Sequence, residues 1–402
     1  MPAEHPDAPL VPSPASPDLR RRCPLSPPQD YEELRDNGQL GTFRLPDDSL
    51  AWLITSYADA TRVLGDRRFG SGANMASLGP EEGDTPGWLF GLDAPEHTRL
   101  RRLFTPHFTA RALSHMEIRI TALAGERLDA MLAAGAPADL FKEFLWPLPR
   151  LVVYDLLDVP SAQQDDFERR LAVGDDPAQP LEERLGAFRN VWRAMVAFAR
   201  ERRHGHGDDL IGQLLRADGE EGPLTVEEAA SLMLSLRLGG QAPVAHTLAM
   251  GIFMLLQRDG GLGTIPIEDD ASLDSAVEEL LRHVPSNNLG IVRTARQDVP
   301  LGDHTIPAGH PVFVNLPVAD RDPARWPAPD DLDVKRAHAS HLAFGYGAHR
   351  CLGHHLARLE LRVMLRELLT RCPQLRLAVD PADVRREITA TTFGVAELPV
   401  SW

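Results

Sequence analysis

Cys351 stands in the run Phe344-Gly345-Tyr346-Gly347-Ala348-His349-Arg350-Cys351-Leu352-Gly353. Two glycines let a tight loop approach a flat partner closely. After the cysteine, Leu352, Leu356, Leu359, Val363 and Leu369 recur at helical spacing and Pro373 follows. The pattern predicts a helix over 351–371 with Cys351 at its mouth. A helix N-terminus favours an anion, so the thiol pKa is expected to be lowered and the thiolate to persist. The other cysteines are Cys23 and Cys372, and none forms a CxxC pair. Zinc therefore lacks its usual ligand set, and a single axial bond to haem iron fits the loop better. Position alone also allows a buried, inert cysteine.

The run is similar to the haem-binding loop of the cytochrome P450 family, FGxGxHxCLG. Phe344, Gly345, Gly347, His349, Cys351, Leu352 and Gly353 all match. The resemblance implies haem b as cofactor and Cys351 as its iron's proximal ligand. It places Phe344 near the sulfur, His349 at a haem propionate, and Gly345 and Gly353 in the same cofactor loop. Three further matches follow in the family's order. Glu279-Leu280-Leu281-Arg282 resembles the ExxR motif, whose two charges share one helix face and can pair; the resemblance adds a later arginine, here Arg336. His97 and Arg101 lie one helical turn apart and resemble the family's propionate-binding HxxxR. Arg293 resembles the strand arginine at the other propionate. Together His97, Arg101, Arg293 and His349 can pair two carboxylates in a dry pocket, where unpaired charge is costly.

The chain departs from the family in the helical stretch 225–257, which takes the place of the oxygen-side helix. The family usually carries Ala/Gly-Gly-x-Asp/Glu-Thr there, the glycine opening a groove and the acid and threonine delivering protons. Here the run is Leu238-Gly239-Gly240-Gln241-Ala242-Pro243. Counted back from Gly251 and Leu256 without gaps, Gly239 and Gly240 take the small-residue places. Ala242 stands at the acid's place and Pro243 at the threonine's, and neither relays a proton. Pro243 also leaves the Gly239 carbonyl without its helical donor, which predicts a kink and a water site. Gln241 is expected to position water. Gly239, Gly240, Gln241, Ala242 and Pro243 are thus read as an oxygen groove with no side-chain relay. Arg237, a turn earlier, is expected to face the surface.

Helical spacing over 95–104, 110–134, 138–157, 161–172, 181–203, 207–217, 225–257, 272–283 and 351–371 must position these groups. Short strand patterns lie at 42–43, 51–55, 291–295, 299–301, 305–306, 312–315, 376–379 and 395–398. A mainly α chain with small β-sheets is expected. By resemblance this is the cytochrome P450 fold, a triangular prism of helices around a buried haem. Residues 1–28 hold nine prolines and are read as disordered and outside the fold; residues 29–402 are read as one domain. The resemblance also implies the 70–91 loop, Val244–Thr247, Asn287–Val292 and Thr391–Gly394 as pocket walls.

The chain has 402 residues, 43% of them apolar, enough for a large core. Its net charge of −16 argues against nucleic-acid binding. No apolar run reaches the length of a membrane span, and the N-terminus lacks a signal-peptide order. Sparse cysteines point to a reducing compartment, so a cytoplasmic monomer is expected. The resemblance implies an organic small-molecule substrate, by analogy a natural-product intermediate, free or tethered to a carrier protein. It also implies electrons from a ferredoxin and its reductase, docking at the cysteine-loop face. There Arg101, Arg102, Arg350, Arg358, Arg362 and Arg366 would steer an acidic partner. Hydroxylation, epoxidation, or coupling and ring closure without oxygen insertion is favoured. Peroxide-driven turnover and a catalytically silent haem protein are the alternatives.

Overall fold

The computed structural model describes residues 8–14, 16, 18–21, 26–45, 47–71, 86–176, 178–205, 209–267, 269–284, 290–337, 340–388 and 393–402. Its α-helices are α1 (Gln29–Asp36), α2 (Tyr57–Gly65), α3 (Glu96–Phe104), α4 (Ala110–Leu113), α5 (Met116–Ala134), α6 (Pro147–Leu156) and α7 (Ser161–Asp175). There follow α8 (Leu181–His204), α9 (Leu210–Leu215), α10 (Val226–Leu256), α11 (Asp270–His283), α12 (Leu316–Ala319) and α13 (His354–Arg371). The strands are β1 (Gly41–Arg44), β2 (Leu50–Ile54), β3 (Phe69–Gly70), β4 (Ala138–Asp139), β5 (Ile291–Ala295) and β6 (Val299–Leu301). After them come β7 (His304–Ile306), β8 (Pro311–Val314), β9 (Arg376–Leu377), β10 (Arg386–Ile388), β11 (Phe393–Val395) and β12 (Pro399–Ser401).

The spine is α10. Thr225 starts it with a capping box: the Glu228 N–H donates to the Thr225 hydroxyl, and the Thr225 N–H donates to the Glu228 carboxylate. The helix is apolar on nearly every side, as a helix buried all round must be. By length and composition it resembles a membrane span, but it packs against α6, α8, α13 and β11 inside the protein. It runs unbroken through Pro243. One apolar core joins α5, α10, α11 and α13. A second joins α6, α8, α9 and the first half of α10. The five-stranded sheet, in the order β1-β2-β8-β5-β3, carries the remainder. Its β5 delivers Arg293, and the β5–β8 pair is antiparallel in the register Arg293–Val312.

Three expectations need correction. Residues 138–157 are not one helix. Ala138 and Asp139 pair with β12, and a π-helical turn over Phe141–Leu145 precedes α6. The Asp139 carboxylate accepts from the Phe141 and Leu398 N–H groups, and Pro147 and Pro149 cannot donate backward into a longer helix. The 110–134 stretch breaks at Ser114, whose hydroxyl donates to the Arg111 carbonyl. The leading proline-rich segment is not wholly outside the fold either. Leu10 bridges Thr42 in parallel, the Val11 N–H donates to the Thr42 carbonyl at 2.9 Å, and the Tyr31 hydroxyl donates to the Pro12 carbonyl at 2.9 Å. Proline fits such an edge because it lacks the donor a central strand needs.

Candidate active site

The 344–353 loop folds back on itself. The Cys351 N–H donates to the Phe344 carbonyl at 2.8 Å. Gly345 and Gly347 have φ of +69° and +74°, a region that L side chains rarely adopt. A Cβ on Gly347 would overlap the Leu64 carbonyl of α2. The Phe344 ring lies under the Arg358 guanidinium, 4.5 Å from ring centroid to carbon. By surface area Cys351 counts as exposed, and by the atoms around it as enclosed. Both hold for a thiol lining an interior opening.

Cys351 does not open the helix. Gly353 is the N-cap, and α13 starts at His354. Nor is the thiol pKa lowered: burial pushes it up, against the Gly353 N–H and the nearby Arg101, Arg358 and Arg350. Desolvation outweighs a helix end three residues away. A metal ion bound to the sulfur would hold it as thiolate.

Beside the thiol, the His97 and His349 rings lie 3.9 Å apart between centroids with their planes tilted by 32°. The pKa of His97 falls to about 4, through burial first and then repulsion from Arg101 and Arg293. That of His349 falls to about 3, through burial and then His97 and Arg293. Burial lowers Arg293 to about 10. Arg101 donates to the Arg350 carbonyl at 2.9 Å and Arg293 to the Val292 carbonyl at 2.9 Å. The nearest carboxylate is Asp93, 3.7 Å from His349 Nε2. Asp93 also accepts from the Ser71 N–H and pairs with Arg296. Four cationic or donor side chains thus converge with less than one full anion among them. That donor set, beside an interior thiol, fits the two carboxylates and the iron of haem.

Glu279 and Arg282 pair through two bonds of 2.8 Å, both nearly fully buried. Arg336 joins Glu279 at 3.2 Å, and the Asp333 N–H donates to it at 2.9 Å. The two guanidiniums spend their other donors on the carbonyls of Asp320, Pro327, Ala328, Pro329 and Asp331. The irregular segment before the cysteine loop therefore hangs on α11.

In mid-α10, accessible surface is confined to Leu236, Leu238, Gly239, Gly240, Ala242 and Pro243. Phe90 overlooks this face: a Cβ on Gly239 would sit 3.4 Å from its ring. Phe90 is 47% exposed and packs edge-on to Trp88. Gly240 serves packing as well, since a Cβ there would press on Val153 of α6 at 2.8 Å. Gln241 is turned away. It is buried, and its amide donates to the Trp146 carbonyl at 2.8 Å, so it does not serve the groove as expected.

The family model described as cytochrome P450 matches residues 271–400. Cytochrome P450 105C1 of a Streptomyces species is 37% identical over 378 residues, 94% of this chain and 96% of its own. Mycinamicin IV hydroxylase/epoxidase of Micromonospora griseorubida is 36% identical over 379 residues, 92% of this chain and 94% of its own. The chain belongs to the cytochrome P450 family. Among solved structures, the LnmA cytochrome P450 hydroxylase from the leinamycin pathway of Streptomyces atroolivaceus has a TM-score of 0.86 at 34% identity, covering 98% of this chain and 100% of that one. The mainly α fold with small sheets is thus that of a cytochrome P450. As a P450, the chain is a haem-dependent monooxygenase with haem b as its cofactor.

Two expectations about this P450's charges change. Arg237 is only 4% exposed and does not face the surface. It grips Glu168 of α7 at 2.7 and 2.8 Å, and Glu168 also meets Tyr154 of α6 and Arg150. The arginines of the cysteine-loop face are largely spoken for. Arg102 pairs with Glu221, Arg358 with Glu278, Arg362 with Glu117 and Asp274, and Arg366 with Glu117 and Asp270. Arg350 is exposed and has no ion pair among the described residues. It borders a groove of about 930 Å³ that Tyr57, Tyr346 and Arg358 also line. Of the expected pocket walls, residues 72–85, 287–289 and 391–392 lie outside the described residues.

Sequence reasoning missed the parts played by Asp93 and Glu168, and it covered Phe90 and His246 only as members of the 70–91 and 244–247 walls. The Asp93 carboxylate accepts from the Ser71 N–H just after β3, a pairing across 22 residues that no spacing announces. His246, a polar residue inside an apolar helix, was the readable signal. Its pKa drops to about 4 through burial alone, and that of His354 drops to about 4 through burial, then His355 and Arg350. Above the ordinary value of 6.5, folded and unfolded states are both neutral and the stability is fully present. As pH falls from 6.5 to about 4, the unfolded chain takes protons that the folded one refuses. His246 alone then costs about 1.4 kcal/mol per pH unit. Thermal melts of the holoprotein should drop between about pH 7 and 5, and a flat profile would contradict the burial of these rings.

Proposed function

We propose that this P450 oxidises a neutral, largely apolar organic molecule, by analogy with its relatives a natural-product intermediate. Cys351 is the iron's proximal ligand in this reading. His97 and Arg101 hold one propionate side and Arg293 and His349 the other. The observation that carries the reading is the interior thiol beside four donors short of an anion. Haem b bound there supplies oxygen activation with electrons from a ferredoxin and its reductase. The chain's own part is to hold, exclude and aim. The Gly353 N–H points at the sulfur and tempers its charge. Phe344 shields the thiolate side, and Gly239 leaves room on the other. Arg237 is locked to Glu168, so α10 offers no free cation to an anionic substrate. Phe90, Leu236, Ala242 and Pro243 offer an apolar wall.

Because Ala242 and Pro243 carry no exchangeable proton, hydroxylation or epoxidation here relies on protons from outside the usual pair. The same absence favours, as a second reading, coupling or ring closure without oxygen insertion. Whether the substrate arrives free or on a carrier protein, the first test is a substrate panel read by Soret shifts, followed by mass analysis of products. Pro243→Thr is expected to shift the ratio of peroxide leaked to product formed by about threefold or more, since positioned proton donors are worth more than that. If ratio and product both stayed constant, the missing threonine would be mechanistically idle.

We place the protein in the cytoplasm as a monomer, with its electron partner docking on the groove beside the cysteine loop. With most arginines there already paired, steering by charge is weak. Arg350→Glu is expected to slow reduction by ferredoxin about tenfold and Arg366→Glu less than about twofold. Equal effects in stopped-flow reduction would remove Arg350 from the docking site.

A further inference from the structure

We infer that His246 relays protons into the groove of α10 in place of the side chains missing at Ala242 and Pro243, by exchange between its two neutral tautomers. The inference rests on the proposed reading of the groove as the oxygen side. Beyond Glu227 and Glu228 in the first turn and Arg237, His246 is the sole titratable residue of α10. It lies four residues after Ala242 and three after Pro243, on the neighbouring turn of the same side.

The imidazole is 4% exposed. Its Nδ1 is enclosed without a hydrogen-bond partner, and no bond is made by Nε2 among the described residues. The ring is held by shape instead. Phe141 stacks on it at 5.0 Å and 25°, and Trp146 packs at 5.6 Å. Gly394 of β11 comes so close that a Cβ there would overlap Nδ1. An apolar side chain would fill this space with no unmet hydrogen-bonding need, yet the chain keeps an imidazole there. Gln241 leaves a second enclosed acceptor, Oε1, without a partner, and its amide is tied to the same Trp146. These two unmet atoms, on residues that both contact Trp146, are the groups an ordered water would satisfy.

Burial keeps the ring neutral and no charged group acts on it. It therefore carries one N–H and one lone pair. A proton from water binds the lone-pair nitrogen while the opposite N–H releases its proton to water on the groove side. One proton enters, one leaves, no electrons move, and a half-turn of the ring restores the starting tautomer before the next transfer. On the groove side, the Gly239 carbonyl has no donor from Pro243 and can accept from the last water.

Two measurements test this. In the reduced, carbon-monoxide-bound holoprotein with ¹⁵N-labelled histidine, the His246 nitrogens should show averaged shifts of exchanging tautomers; a single fixed tautomer would overturn the inference. In turnover with ferredoxin and reductase, His246→Phe preserves the stacking but removes both nitrogens. It should raise peroxide leakage per product about tenfold and change the solvent deuterium effect, with KM unchanged, while His246→Gln fails to restore either. A folded His246→Phe with unchanged leakage and isotope effect would overturn it too. If His246→Phe does not fold, the nitrogen shifts decide. The thiolate-type spectrum of the wild type checks the underlying haem assignment separately.

Discussion

Cys351→Ser is expected to fold, bind haem and lose the red-shifted, thiolate-type Soret band of the reduced carbon-monoxide complex. Serine fills nearly the same space, and the loop is shaped by Gly345, Gly347 and the Cys351 N–H bond to Phe344, none of which needs sulfur. A serine hydroxyl keeps its proton where a thiol releases its own to solvent on binding iron. The electron donation that favours O–O cleavage is then lost. Changing a residue that merely orients a ligand costs about 10- to 100-fold, so losing the ligand should cost at least about a hundredfold in turnover. A Cys351→Ser protein that kept the thiolate-type band would place the ligand elsewhere.

Glu279→Ala is expected to be the most damaging change away from the cofactor. It leaves Arg282 and Arg336 facing each other with no anion between them, in a site where Glu279 and Arg282 are nearly fully buried. Breaking a buried pair by removing one partner costs about 3–5 kcal/mol, against a total stability of about 5–15 kcal/mol. The segment 320–336 is bonded to these guanidiniums through its carbonyls, so its loss should loosen the cysteine loop that follows. Low haem content and a melting point depressed by several degrees should result; a wild-type melt would show the triad to be dispensable. Glu279→Gln keeps the acceptor oxygen and should cost less.

The cysteine loop, the propionate donors and the Glu279–Arg282–Arg336 triad were legible because each is a local pattern or a match in order along the chain. The extent of α10 was legible from Thr225 and its apolar run. Its faces were not, because a helix apolar on nearly every side has no stripe to orient it. That is why Gln241 was assigned to the groove and Arg237 to the surface. Only the position of α6 and α7 decides both, and Glu168, the partner of Arg237, lies 69 residues away. The start of α13 was missed by three residues because Leu352 fits the helical spacing although Gly353 caps the helix. The thiol's raised pKa followed from enclosure, which spacing does not report.

The leading segment beside β1 has a practical bearing. Its backbone covers one margin of the five-stranded sheet, through Leu10, Val11 and Pro9 against Thr42. Trimming the chain to begin at Gln29, as its prolines invite, would leave the Thr42 N–H and carbonyl of β1 unsatisfied. Bare sheet margins recruit other chains, so the shortened protein should self-associate while its haem spectrum stays normal.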